Sequence, residues 1–329
     1  MLKKLKLRKT LKKQHYGLVG KHSGVQICRW TKNSLRDEGD CYKAKFYGIK
    51  SYGCCQMSPS VGFCQNRCLH CWRAIELTIG NKMNVKDSDD PKEIIKGCIE
   101  QQIRLINGFK GNKKINLKKF EEAQEPMQFA ISLTGEPTIY PRLGELIQEV
   151  RKQGKTSFVV TNGVLPERLK QLQKQKALPT QLYLSMNASN EKLFNKWHRS
   201  QTKEAWKKFN ESLELFPKLK TRKVVRMTLV KGENSNMNEE MVSDYAELIK
   251  KANPDFIEVK GYMSVGFARN RDGMGYDSMP TYEDIKDYSK KIAKELKKEG
   301  YKILDEHEFS RVVLVGKDKK MMKIKENQR

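Results

Sequence analysis

From residue 55 onward, short apolar or β-branched runs alternate with amphipathic helical patterns, and this alternation sets the fold class. Gln128–Leu133, Thr156–Thr161, Gln181–Ser185, Lys223–Val230 and Asp255–Lys260 have the length and composition of buried strands. Between and after them lie helical patterns. Asp90 caps a helix that Pro91 opens, with Ile94, Ile95, Cys98, Ile99 and Ile103 at helical spacing. Further helices are expected over Leu143–Arg151, Pro166–Lys174, Lys203–Phe216, Asn238–Lys251 and Glu283–Lys298, with Thr281 and Asp284 as a capping box for the last. Repeated strand–helix units imply a parallel sheet with right-handed crossovers, open or closed into a barrel. In either form the chemistry sits where the strands end. The lysine-rich stretch Lys110–Lys119 reads as a surface insertion, and no internal repeat or second domain is visible.

The cysteines are as informative as the strands. Seven of the eight fall between Cys28 and Cys71, which points to metal ligation in a chain with no export signal. Cys64, Cys68 and Cys71 form a C-x3-C-x2-C loop followed by Trp72. Three thiolates at this spacing can bind three irons of a 4Fe-4S cube and leave the fourth open. An open iron can chelate the amino and carboxylate groups of S-adenosylmethionine (SAM) and pass an electron to its sulfonium, releasing a 5′-deoxyadenosyl radical. Trp72 is placed to pack near the adenine. The competing reading is a zinc site with His70 as fourth ligand, although paired C-x2-C elements are the usual zinc pattern.

The residues after successive strands fit SAM binding. Gly135 permits close backbone approach, and Glu136 offers a carboxylate to the SAM ammonium. Thr161 with Asn162, and Ser185 with Asn187, place small polar groups where ribose hydroxyls or a carboxylate can be held. Upstream, Cys28, Cys41 and Cys54 are separated by equal gaps of twelve residues and suit a second 4Fe-4S cluster, whose open iron can hold an α-keto acid. Cys55 is an alternative to Cys54. Cys98, on an apolar helix face, reads as core. Lys43, two residues after Cys41, is the lysine nearest this second site and a candidate for a Schiff base.

Charge names the class of partner. With 65 basic and 39 acidic residues the chain carries a formal +26, more than internal ion pairing can absorb, and a nucleic acid relieves it. Residues 1–15 form a basic arm of Lys3, Lys4, Lys6, Arg8, Lys9, Lys12 and Lys13, of a kind that is disordered alone and ordered on phosphates. No apolar run is long enough for a membrane span and no secretory signal is present, so a cytosolic protein is expected.

Taken together, CQNRCLHCWR at Cys64–Arg73, SLTGEPTIYP at Ser132–Pro141, TNG at 161–163 and FIEVKGYMSVG at Phe256–Gly266 resemble the 4-demethylwyosine synthases, in their archaeal single-domain form. The resemblance implies an incomplete (β/α)6 radical SAM barrel with an N-terminal cysteine-containing extension. Residues 1–54 would be the basic arm and extension, 55–310 the core barrel, and 311–329 a basic tail. It further implies a carbon–carbon lyase that condenses pyruvate with N1-methylguanosine, 3′ of the anticodon of tRNA(Phe), to give 4-demethylwyosine. Its cofactors would be SAM and two 4Fe-4S clusters, on Cys64, Cys68 and Cys71 and on Cys28, Cys41 and Cys54, and Lys43 would hold pyruvate. An external electron donor and a monomeric state are expected. Lys260, Arg269 and Arg271, after the last barrel strand, are candidate phosphate contacts. Two other readings stand beside it: another radical SAM enzyme of RNA modification, and a non-catalytic zinc-dependent RNA-binding protein.

Overall fold

The computed structural model describes residues 2–325, so Met1 of the basic arm and residues 326–329 of the expected tail lie outside it. Ten strands form one sheet: β1 (Gly17–Val19), β2 (Ser23–Val25), β3 (Cys54–Ser58), β4 (Gln128–Ile131), β5 (Thr156–Thr161), β6 (Gln181–Ser185), β7 (Arg222–Leu229), β8 (Phe256–Gly261), β9 (Lys302–His307) and β10 (Val312–Gly316). Strands β3 to β8 are parallel and lie side by side in sequence order. Antiparallel pairs extend both edges, β2 and β1 beyond β3, and β10 and β9 beyond β8.

The helices of the first half are α1 (Leu2–Lys13), α2 (Arg29–Leu35), α3 (Tyr42–Tyr47), α4 (Pro91–Asn107), α5 (Leu117–Glu122) and α6 (Leu143–Lys152). Those of the second are α7 (Pro166–Lys174), α8 (Glu191–His198), α9 (Ala205–Leu215), α10 (Met241–Ala252) and α11 (Tyr282–Glu295). The expected start of α4 holds: the Asp90 carboxylate accepts from the Lys92 amide, with Pro91 at the first helical position. None of the described helices is long and apolar enough to cross a membrane.

Side chains alternate across the sheet, so each strand serves two interiors. One face, with Leu182, Leu184, Val225, Met227, Ile257 and Val259, packs against the helices as the main core. All six are fully buried, and burial of such a side chain contributes about 1.5–3 kcal/mol. Cys98 joins this core, as expected. The opposite face carries Phe158, Tyr183, Val224, Phe256 and Leu314, and Tyr42, Phe46 and Tyr47 of α3 cover it.

Three regions differ from the sequence reading. The basic arm is a helix, anchored by buried Leu7 and Leu11 against Tyr16, Val61 and Leu133. The chain after residue 311 begins with β10, fully buried and paired along five residues with β8. Its Val-Val-Leu-Val run has the continuous hydrophobicity of a strand covered on both faces, masked in the sequence by the lysines that follow. The expected insertion Lys110–Lys119 is partly packed: Ile115 there and Phe120 of α5 are buried with Ile27, Leu35 and Ile106.

The Thr281–Asp284 capping box forms with both reciprocal hydrogen bonds. Thr281→Ala should therefore cost about 1 kcal/mol. The check is a lower urea midpoint at unchanged slope.

Candidate functional site

The three-cysteine loop leaves β3 and is held from every side. Phe63 bridges to Gly80, the Cys64 amide donates to the Gly80 carbonyl at 3.0 Å, and the Arg67 and Leu69 amides donate to the carbonyls of His198 and Trp197 at the end of α8. Arg271 closes the clamp, its guanidinium donating to the carbonyls of Leu69, Cys71 and Arg73. The expected phosphate contact is thus a loop fastener with a side chain only 10% exposed. Gly135 has φ of 79°, and a Cβ there would stand 2.0 Å from the Ser60 carbonyl oxygen. The close approach that this glycine permits is toward the cysteine loop itself.

Cys64, Cys68, Cys71, Asn66, Thr134 and Gly135 line one cavity. Burial pushes the Cys64 thiol up to about 12 and raises that of Cys68 as well, so any metal held by them would have to displace both protons. The Cys68 sulfur lies 3.2 Å from His198 Nδ1. Gln65 and Asn66 are buried in the loop with all four side-chain amide atoms unpaired. Buried amides without partners are costly, and they fit a loop that closes around a polar inorganic group. Among the described residues, no three His, Cys, Asp or Glu side chains converge as a single metal ion requires.

The residues expected to surround SAM follow at the next strand ends. Glu136 is 3% exposed, and its Oε1 accepts from the Thr138 amide and hydroxyl and from the Thr161 hydroxyl. Its Oε2 accepts only from the Asn162 amide, at 2.9 Å, and has a lone pair left for another donor. Burial raises the carboxyl pKa despite these donors. Asn162 Oδ1 accepts from the Val164 amide and closes a local turn after β5, while Asn187 Oδ1 accepts from the Thr228 amide and ties the end of β6 to β7. The Asn187 amide nitrogen also lies 3.5 Å from His70 Nε2. Ser185 stands at the end of β6 beside Arg226. Trp72 packs under α1 with the Arg73 guanidinium 4.4 Å from its ring centre.

The second cysteine set gathers at the other end of this polar face. Cys28 caps α2, its sulfur accepting from the Thr31 amide at 3.3 Å, and Cys41 stands at the start of α3. Ser51 joins them: its carbonyl accepts from the Thr31 hydroxyl and its hydroxyl from the Cys41 amide. Cys54 opens β3; burial first, and then the nearby Cys28 thiol, raise the pKa values of Cys41 and Cys54. Cys55 faces the other way, fully buried in the helix-covered core near Cys98. Strand periodicity thus separates two thiols that spacing leaves equivalent.

Lys43 projects from α3 over the rings of Phe158 and Tyr183, with its nitrogen 5.2 and 4.8 Å from their centres. Burial first, then the Arg226 charge, lower its pKa. Lys260 of β8 lies beside it, donating to the Ser310 carbonyl and facing the Tyr42 ring at 5.4 Å. Burial and Arg226 pull Lys260 down to about 8. Lys260 therefore lines the interior; of the three expected phosphate contacts, Arg269 alone is exposed. Alternation explains the miss, because Lys260 shares the face of Glu258, which the sequence reading also passed over as part of an apolar strand.

Glu258 has no exposed surface. It accepts from the hydroxyls of Tyr42 and Tyr47 at 2.9 and 2.8 Å and from Arg226 Nε at 2.8 Å. Although burial alone would raise it, Arg226 and Lys43 hold its pKa below the usual carboxylate range. Two tyrosines of α3 on one carboxylate fix the helix that presents Cys41 and Lys43. Glu258→Ala leaves Arg226 uncompensated and should cost about 3–5 kcal/mol. Urea denaturation of the metal-free protein reads this.

Comparison with known proteins gives consistent matches. The radical SAM superfamily model matches residues 58–249, and the model for wyosine base formation matches residues 251–317. The S-adenosyl-L-methionine-dependent tRNA 4-demethylwyosine synthase of Pyrococcus abyssi is 46% identical over 307 residues, 93% of this chain and 87% of that protein. The synthase of Methanocaldococcus jannaschii is 36% identical over 312 residues, 93% of this chain and 94% of that one. Among solved structures, TYW1 with a lysine–pyruvate adduct bound superposes with a TM-score of 0.82 at 33% identity, covering 98% of both chains. An archaeal TYW1 crystal structure superposes at 0.73, with 32% identity and the same coverage.

Proposed function

The chain belongs to the S-adenosyl-L-methionine-dependent tRNA 4-demethylwyosine synthases, and from there we propose that it joins pyruvate to N1-methylguanosine, 3′ of the anticodon of tRNA(Phe), closing the tricyclic base. Membership makes it a radical SAM enzyme of wyosine synthesis that acts on tRNA and works with SAM and a 4Fe-4S cluster. In this reading Cys64, Cys68 and Cys71 hold that cluster, which when bound reduces SAM and yields the radical that draws hydrogen from the N1-methyl group. Glu136 Oε2 takes the SAM ammonium, while Trp72, Gly135, Thr161, Asn162, Ser185 and Asn187 shape the surrounding pocket. Cys28, Cys41 and Cys54 hold a second 4Fe-4S cluster. The enzyme draws electrons from an external donor and acts as a cytosolic monomer.

Lys43 carries the reading. It stands on a fixed helix, two residues from Cys41, with an aromatic floor beneath it and a pKa lowered by burial and Arg226. A larger fraction of neutral amine favours attack on a keto carbon, with loss of water to a Schiff base. Arg226 and Lys260 put two further positive charges beside one buried acid, Glu258, and so attract a small carboxylate such as that of pyruvate. The TYW1 structure of similar fold carries a lysine–pyruvate adduct, which supports a lysine in this role.

Two experiments test this. With methylated tRNA, SAM, a reductant and carbon-13 pyruvate, mass spectrometry should find the label in a tricyclic base. Lys43→Ala should keep deoxyadenosine formation but make no base; wild-type yield from the variant removes the Schiff-base role. Anaerobic reconstitution should load ~8 irons per chain, falling to ~4 in Cys41→Ala or Cys54→Ala and unchanged in Cys55→Ala. Four irons in the wild type would rule out the second cluster.

A further inference from the structure

The basic N-terminal helix α1 has two jobs that its sequence does not join. One edge of it roofs the cysteine cavity: Leu7, Thr10 and Leu11, with Gln14 just beyond the helix, line the same space as Cys64, Cys68, Cys71 and Gly135. At a spacing of 100° per residue, Lys6, Lys9, Lys12 and Lys13 fall on the side opposite Leu7 and Leu11, and all four are exposed. The helix contains no acid, and none of these lysines is paired with an acid among the described residues.

Such a helix opposes itself. Lys9 and Lys13, and Lys6 and Lys9, are like charges at helical-neighbour spacing, and Lys3 and Lys4 place positive charge at the end where the helix dipole favours negative. Outside the chain, an anion laid along the exposed side removes both penalties. The positive strip also continues past the helix, into a groove lined by Lys3, Arg67 and Arg199, with Glu76 and Asp272 as its acidic members. Arg67 and Arg199 belong to the fixing of the cysteine loop: Arg67 donates to the Cys64 carbonyl, and Arg199 to the carbonyl of Arg67. A polyanion following this strip would touch the roof of the cofactor cavity and its wall together.

We infer that α1 is an RNA-operated roof: the tRNA phosphate backbone docks along Lys6, Lys9, Lys12 and Lys13 and presses Leu7 and Leu11 onto the cavity over Cys64, Cys68 and Cys71. Substrate arrival and cofactor enclosure are then one event. This rests on tRNA being the substrate, and it adds where the RNA lies and what its arrival does. Among the described residues, the roof is held by two leucines, their few neighbours and hydrogen bonds from Arg8 to the Gly20 carbonyl and from Gln26 to the Gln14 carbonyl.

The test uses the full chain in two variants. Lys6→Ala/Lys9→Ala/Lys12→Ala/Lys13→Ala keeps the leucines and should bind tRNA at least tenfold more weakly at 150 mM salt, with a shallower dependence of affinity on salt. In the wild type, even without metal, tRNA should slow hydrogen exchange of the α1 amides. Leu7→Ser/Leu11→Ser keeps the charges and should exchange fast in α1 with or without tRNA, and its reconstituted form should cleave SAM in the absence of RNA faster than the wild type does. Unchanged tRNA affinity in the lysine variant, or α1 exchange that tRNA does not slow in the wild type, overturns the inference. If the wild type makes the tricyclic base while either of those results holds, the roof fails and the function stands; if no base forms, the function itself is at fault.

Discussion

The buried carboxylate of Glu258 is what the polar half of the sheet is built on. Placing a full negative charge where no surface is exposed is expensive, and here one guanidinium and two phenol hydroxyls compensate it. The arrangement joins three parts of the chain, β8 with Glu258 and the two elements that supply its partners. Arg226 comes from the neighbouring strand, while Tyr42 and Tyr47 come from a six-residue helix that could not hold its own shape in water. Cys41 and Lys43 ride on that helix, so the position of the Lys43 amine follows from an acid more than two hundred residues away.

One geometric rule, the two-residue period of a strand, distributes the remaining roles. It sends Ile257 and Val259 to the helices while Glu258 and Lys260 face the interior. It sends Cys55 to the core and leaves Cys54 at the opening. The same rule makes the lower half of the interior aromatic, with Phe158, Tyr183 and Phe256 under α3. Lys43 above such a floor has aromatic rings on one side of its amine.

Strands β4 to β8 were legible because each is an apolar run with polar ends, and the helices between them because of their periodicity. The edge strands were not. β1 and β2 are three residues each, too short to show alternation, and β9 alternates weakly because its edge is half exposed. The cysteine loop was legible as chemistry since thiol spacing is local. Arg271 and Lys260 were misread for the converse reason: a basic residue in a highly basic chain looks like surface until its partners, which lie far away in sequence, are known. Glu258 was hidden by its neighbours, one acid inside Phe-Ile-Glu-Val.

Those misreadings bear on how a surplus of positive charge should be interpreted. The +26 balance is a whole-chain sum, but the cations divide into kinds with different work. Arg271 spends its hydrogen bonds on backbone carbonyls, and Arg226 and Lys260 are turned inward toward a site suited to a small anion. Others are matched by acids on the surface, as Lys250 is by Glu247. Only cations that are exposed and unmatched attract a polyanion at long range, and on α1 they are dense, with no acid within the helix itself. This unmatched surface charge lies on the element that covers the cavity of Cys64, Cys68 and Cys71, so under the proposed roof a radical generated there would be kept from water by the substrate it is meant to meet.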